Sequence, residues 1–94
     1  MKRNHDSLGV FFKEKRSNMG MTQLDVARKL GYTSAQFISN FERGLCSLPL
    51  PAIRKLTQLY KTDGKRVFEL IMAEQESYVQ EQLFGRKAGP KRRQ

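Results

Sequence analysis

Cysteine is nearly absent from this sequence: Cys46 is the only one in 94 residues. A single thiol excludes an internal disulfide framework, and with no second cysteine or neighbouring histidine it has no partners with which to share a metal. Cys46 therefore reads as a small connector residue, as expected in a reducing compartment. Histidine is as scarce. His5 stands near the start with no catalytic partner in sight, and the chain shows no Ser/His/Asp set, no glycine-rich phosphate loop and no ligand cluster. No enzyme, no metal and no cofactor are expected. No apolar run approaches the roughly 18 residues of a membrane span, and no apolar segment of signal-peptide type follows "MKRNHD". A cytoplasmic, nucleoid-associated protein with no membrane partner is the expectation.

Acid is the remaining shortage. Nine Asp+Glu face 18 Lys+Arg, a formal net charge of +9, which favours a polyanionic partner. The charge is also unevenly placed. Residues 1–62 carry 11 basic and 4 acidic side chains, residues 63–85 carry 2 and 5, and residues 86–94 carry 5 basic and no acidic ones. An acidic segment thus separates a basic front half from a basic tail. Its sign argues against a basic helix lying on a membrane.

What is present is helical periodicity. At 38% hydrophobic and 29% charged, the chain has the composition of a single modest globular domain. Ser7 caps a first helix with Leu8, Phe11, Phe12 and Lys15 at helical spacing, Lys13 and Arg16 on the outer side, and Gly20 as its breaker. Thr22 opens a second helix with Asp25 three residues on, a near capping box, and Gly31 closes it. "SAQFISNFER" is a third helix, capped by Thr33 or Ser34 and stopped by Gly44. A fourth starts at Pro51, with Ile53, Leu56 and Leu59 or Tyr60 as its stripe. Asp63 and Gly64 make a turn, and a long fifth helix runs to about Phe84. No strand pattern and no internal repeat appear, so the expected fold is all-α with five helices.

The second and third helices carry the function. Val26, Ala27 and Leu30 face inward from one, Ile38 and Phe41 from the other, and Gly31 allows a tight turn at positive φ. The outward face of the third helix is then Ser34, Ala35, Gln36, Ser39, Asn40 and Arg43. Gln and Asn amides both donate to and accept from adenine in the major groove, and Arg suits guanine or phosphate.

In "TQLDVARKLG" and "QFISNFERG", followed by an apolar fourth helix, the chain resembles the phage-repressor and Cro-like (XRE) family of helix-turn-helix transcriptional regulators. The resemblance spans roughly Leu8 to Tyr60. It implies a five-helix repressor-like DNA-binding domain with its helix-turn-helix at helices 2–3. It implies that Gln23 grips a phosphate and that Ala35, Gln36 and Asn40 read bases. The turn "GYTSAQ" is one residue longer than the commonest form, which leaves the start of the recognition helix open, and with it the roles of Ser34 and Ala35. The candidate DNA-contacting set is Thr22, Gln23, Thr33, Ser34, Ala35, Gln36, Ser39, Asn40 and Arg43.

The expected organisation is a flexible basic N-terminus (1–6), a helix-turn-helix DNA-binding domain (7–62), a long C-terminal helix (63–85) and a disordered basic tail (86–94). Val67, Phe68, Ile71 and Met72 are expected to close the core. Tyr78, Val79, Leu83 and Phe84 extend beyond it and read as a dimerisation surface, the alternative being that they fold back over the same monomer. The expected function is a sequence-specific double-stranded DNA-binding regulator, a repressor acting as a homodimer on a palindromic operator. The alternative is the antitoxin of a toxin–antitoxin pair, binding its toxin through the C-terminal helix; a toxin or an anti-repressor is the conceivable protein partner.

Overall fold

The computed structural model describes residues 7–85; the segments 1–6, with His5, and 86–94 lie outside the described residues. The five helices are α1 (Leu8–Asn18), α2 (Gln23–Lys29), α3 (Gln36–Glu42), α4 (Leu50–Leu59) and α5 (Gly64–Phe84). No strand occurs among the described residues, and the all-α, five-helix expectation holds.

Local chemistry sets most of the boundaries. The Ser7 hydroxyl accepts the Val10 N–H at 3.2 Å. A carboxylate far along the chain, Glu74 on α5, accepts the Leu8 N–H at 2.6 Å. That bond satisfies a second orphan donor of α1 and sets negative charge at the positive end of its dipole. At α2 the capping box is complete: Asp25 N–H donates to Thr22 Oγ1 at 3.0 Å, and Thr22 N–H donates to Asp25 Oδ2 at 2.9 Å. The Thr22 backbone bond, more than the hydroxyl bond, holds the Asp25 carboxyl below its ordinary value. Gly31, at φ +86°, ends α2: its N–H donates to Arg28 O while Tyr32 N–H reaches back to Ala27 O at 2.9 Å, the Schellman arrangement.

Two boundaries differ from expectation. Pro49, not a later residue, is the N-cap of α4, so Pro51 falls inside its first turn, where a missing N–H still costs nothing. Gly64 is no turn residue either. Asp63 caps α5 by accepting the Lys65 N–H at 3.0 Å, and the left-handed position that ends α4 is Lys61, at φ +53°.

The core gathers Leu8 and Phe12 of α1, Val26 and Ala27 of α2, Ile38 and Phe41 of α3, Ile53, Leu56 and Tyr60 around α4, and Val67 and Leu70 of α5, with Leu48 from the connector. Phe12 sits at its centre, its ring 6.0 Å from Phe41 and 5.4 Å, edge-on, from Tyr60. Two expectations are corrected. Arg16 points inward rather than out, onto the buried Glu42. On α5, Leu70 takes the inward place, while Phe68 and Met72 are exposed, because the helix presents a different arc to the domain.

Burial pushes the Tyr60 hydroxyl up to about 12, with the Glu42 carboxylate adding to the shift and Arg16 opposing it. A raised phenol value means that the neutral form is favoured by the fold. This contribution to stability is complete below pH 10 and is lost as pH rises toward 12. In a spectrophotometric titration the Tyr60 phenol is therefore expected to ionise late, above its ordinary range and together with alkaline unfolding. A Tyr60 phenol that ionises at its ordinary value in the folded protein would contradict the packing described here.

Candidate nucleic-acid interface

α3 is a seven-residue helix held from behind. Ile38, Phe41 and Glu42 form its buried side, and the fully buried Ala27 lets α2 approach closely because no larger side chain keeps the helices apart. Glu42 is only 4% exposed. Its carboxylate receives Arg16 Nε at 2.7 Å and Arg16 Nη2 at 3.0 Å, a bidentate pair, while Arg16 Nη1 donates to the Met21 carbonyl at 2.8 Å. Gln23 Nε2 completes the group by donating to Glu42 Oε1 at 2.9 Å. One carboxylate thus joins α1, α2 and α3. The bond to Glu42 also raises the Arg16 guanidinium above its ordinary value.

The outer side is polar. Gln36 and Arg43 are exposed, and Ser39 and Asn40 are half-buried along the same helix. Gln36 Nε2 donates to Asn40 Oδ1 at 2.9 Å across one turn, so these two expected base readers form one unit. The helix begins at Gln36, with Ala35 as a cap residue that makes no side-chain bond. Ser34 Oγ accepts the Gln36 N–H at 3.3 Å, so a Ser34 bond is present although the helix starts two residues later. Thr33, Ser34 and Ala35 consequently belong to the turn rather than to the helix, Ala35 half-buried and the other two exposed. Thr22 is exposed and its hydroxyl is engaged in the α2 cap.

Sequence reasoning missed Arg16, Glu42 and Phe37. A signal for the first two was there: Leu8, Phe12 and Arg16 share one stripe at i, i+4, i+8, and Glu42 follows Ile38 at i+4. Charge was read as exposure where phase pointed inward. Phe37, at the start of α3, lays its ring 5.1 Å from that of Tyr32 in the turn, which braces the longer connection.

No helix among the described residues is long and apolar enough to cross a membrane. No group of three or more His, Cys, Asp or Glu that could hold a metal ion occurs among them. A family model described as a helix-turn-helix domain matches residues 7–70, from the cap of α1 through the buried first turns of α5. No curated protein and no solved structure matches the chain. The match covers most of the sequence and contains the whole α2–turn–α3 unit: the chain belongs to the helix-turn-helix domain family and is a DNA-binding protein.

Proposed function

We propose that this protein is a sequence-specific regulator of transcription on double-stranded DNA, a repressor of the phage-repressor and Cro-like (XRE) type that acts as a homodimer on a palindromic operator. The observation that supports the reading most is the outer side of α3, where Gln36, Asn40 and Arg43 carry donors and acceptors and no acid, over a back locked by Ile38, Phe41 and Glu42. In this reading α3 lies in the major groove, with the Gln36 amide on adenine and Arg43 on guanine or phosphate. Ser39 and Ala35 lie along the groove wall. Thr33 and Ser34 in the turn, with Thr22 and Gln23 at the start of α2, meet the backbone. Gln23 uses one N–H on Glu42, and its second remains for a phosphate oxygen. Residues 7–62 form the DNA-binding unit, and α5 joins two copies. The +9 charge supplies the attraction common to all sequences.

Selection of bound duplexes from a random pool is expected to return a two-fold symmetric site; a pool with no enrichment overturns the reading. On that site Gln36→Ala and Asn40→Ala are each expected to cost about 1–3 kcal/mol of binding and to relax specificity. Because the two amides are bonded to each other, the double variant is expected to lose less than the sum of the single losses. Fully additive losses would show that the two side chains read the site independently.

A further inference from the structure

α5 carries two apolar arcs, and its own domain uses only one. Val67, Leu70 and the half-buried Ile71 face the core, and Glu74 on the same side holds the start of α1. On the other arc stand Phe68 (60% exposed), Met72 (46%), Val79 (42%) and Leu83 (72%). At about 100° per residue, Met72, Gln75, Val79 and Gln82 all lie within about 40° of Phe68, and Leu83 about 60° from it. Tyr78 and Phe84 do not share this arc: they fall about 80° and about 160° away. The four side chains expected to pair copies therefore spread around the helix, while a continuous stripe runs through residues on both sides of Gln75.

We propose that the face formed by Phe68, Met72, Gln75, Val79 and Gln82 packs along the same face of a second copy of this chain as a two-helix seam. The proposal rests on the homodimer reading and names the surface that carries it. The spacing 68, 72, 75, 79, 82 alternates four and three, the 3.5-residue repeat at which two helices interlock along their length. A partner with the same repeat covers the stripe from end to end. Gln75 and Gln82 point to the same occupant, since an amide that both donates and accepts is satisfied by another amide in an otherwise apolar seam. Beside the stripe, Arg66 lies 3.8 Å from Glu69, which offsets one of the acids that flank the seam. Phe68, Met72 and Val79, with Leu83 at the edge of the face, together expose roughly 400 Å² per copy, the size of patch that marks an interaction site on a monomer. Two copies then bury about 800 Å² before the flanking polar stems are counted, the size of a weak, transient interface.

Sedimentation of the full chain at tens of micromolar tests this. The parent is expected to be a dimer. Met72→Glu with Val79→Glu is expected to sediment as a monomer with its helical circular dichroism retained, and Tyr78→Glu with Phe84→Glu is expected to remain dimeric. Should the Met72/Val79 pair unfold, cross-linking decides. In a Cys46→Ser background, a short bismaleimide is expected to join Gln75→Cys chains and to leave Ser77→Cys chains, on the far side of the helix, unjoined. A dimer broken by the Tyr78/Phe84 pair, or joined at Ser77→Cys and not at Gln75→Cys, overturns the seam and leaves the homodimer intact. A parent that stays monomeric, including one that reaches two-chain size only with a different protein bound, overturns both.

Discussion

Arg16→Ala is expected to destabilise the fold by about 3–5 kcal/mol, because it leaves the Glu42 carboxylate buried and uncompensated. The loss concerns more than one ion pair. Arg16 binds Glu42 through two nitrogens and the Met21 carbonyl through a third, so its removal strands two acceptors. Gln23 continues to donate to Glu42, but a neutral amide cannot offset the charge. A single small domain holds about 5–15 kcal/mol in all, and the urea midpoint of the variant should fall by a large fraction of the parent's. Removing both charges discriminates the cause. Arg16→Met with Glu42→Leu replaces the pair by apolar groups and is expected to recover much of the stability. A single variant as stable as the parent would mean that the pair is solvated and contributes little.

Gly9→Ala is expected to destabilise the domain by about 1–3 kcal/mol or more, the usual cost of forcing an added carbon into a packed region. In most helices this substitution stabilises by roughly 1 kcal/mol, since alanine is the better helix former. Here steric conflict outweighs propensity. A Cβ on Gly9 would overlap the Phe41 carbonyl oxygen and lie 3.0 Å from the Glu42 oxygen and 3.1 Å from Glu42 Cα. All three are backbone atoms of α3, with no rotamer to change, so α1 and α3 must separate. That separation also stretches the Arg16–Glu42 bonds between the same two helices. The thermal midpoint is expected to drop, and a rise would show that α1 can move without loss.

These two positions mark where sequence reasoning stops. The capping box at Thr22 and Asp25, the positive-φ turn at Gly31 and the apolar phases of α2 and α3 depend on residues within a few positions of one another, and such patterns can be read along the chain. Nothing local to Gly9 says that α3 crosses against it. Arg16 and Glu42 are 26 residues apart, and each alone is an ordinary charged helix residue. On α5 the stripe was visible but its direction was not: with apolar residues on two arcs, periodicity cannot say which arc the domain takes, and Leu70 displaced Phe68 and Met72 from the core.

The DNA-reading side was the more legible part because recognition is a local matter of one helix face. Gln36, Asn40 and Arg43 stand out as polar residues at helical spacing opposite Ile38 and Phe41. The start of α3 was less clear, since the turn contains several residues able to cap it and the choice depends on how Tyr32 and Phe37 pack. The sequence by itself determined the helical class, the α2–turn–α3 unit and its polar front, because caps, turns and amphipathic phase act over a few residues. The tertiary structure alone decided that a buried carboxylate joins three helices, that Gly9 permits α1 to meet α3, and which arc of α5 stays open. Those features are set by distances between segments remote in the chain, and they exist only once the helices have packed.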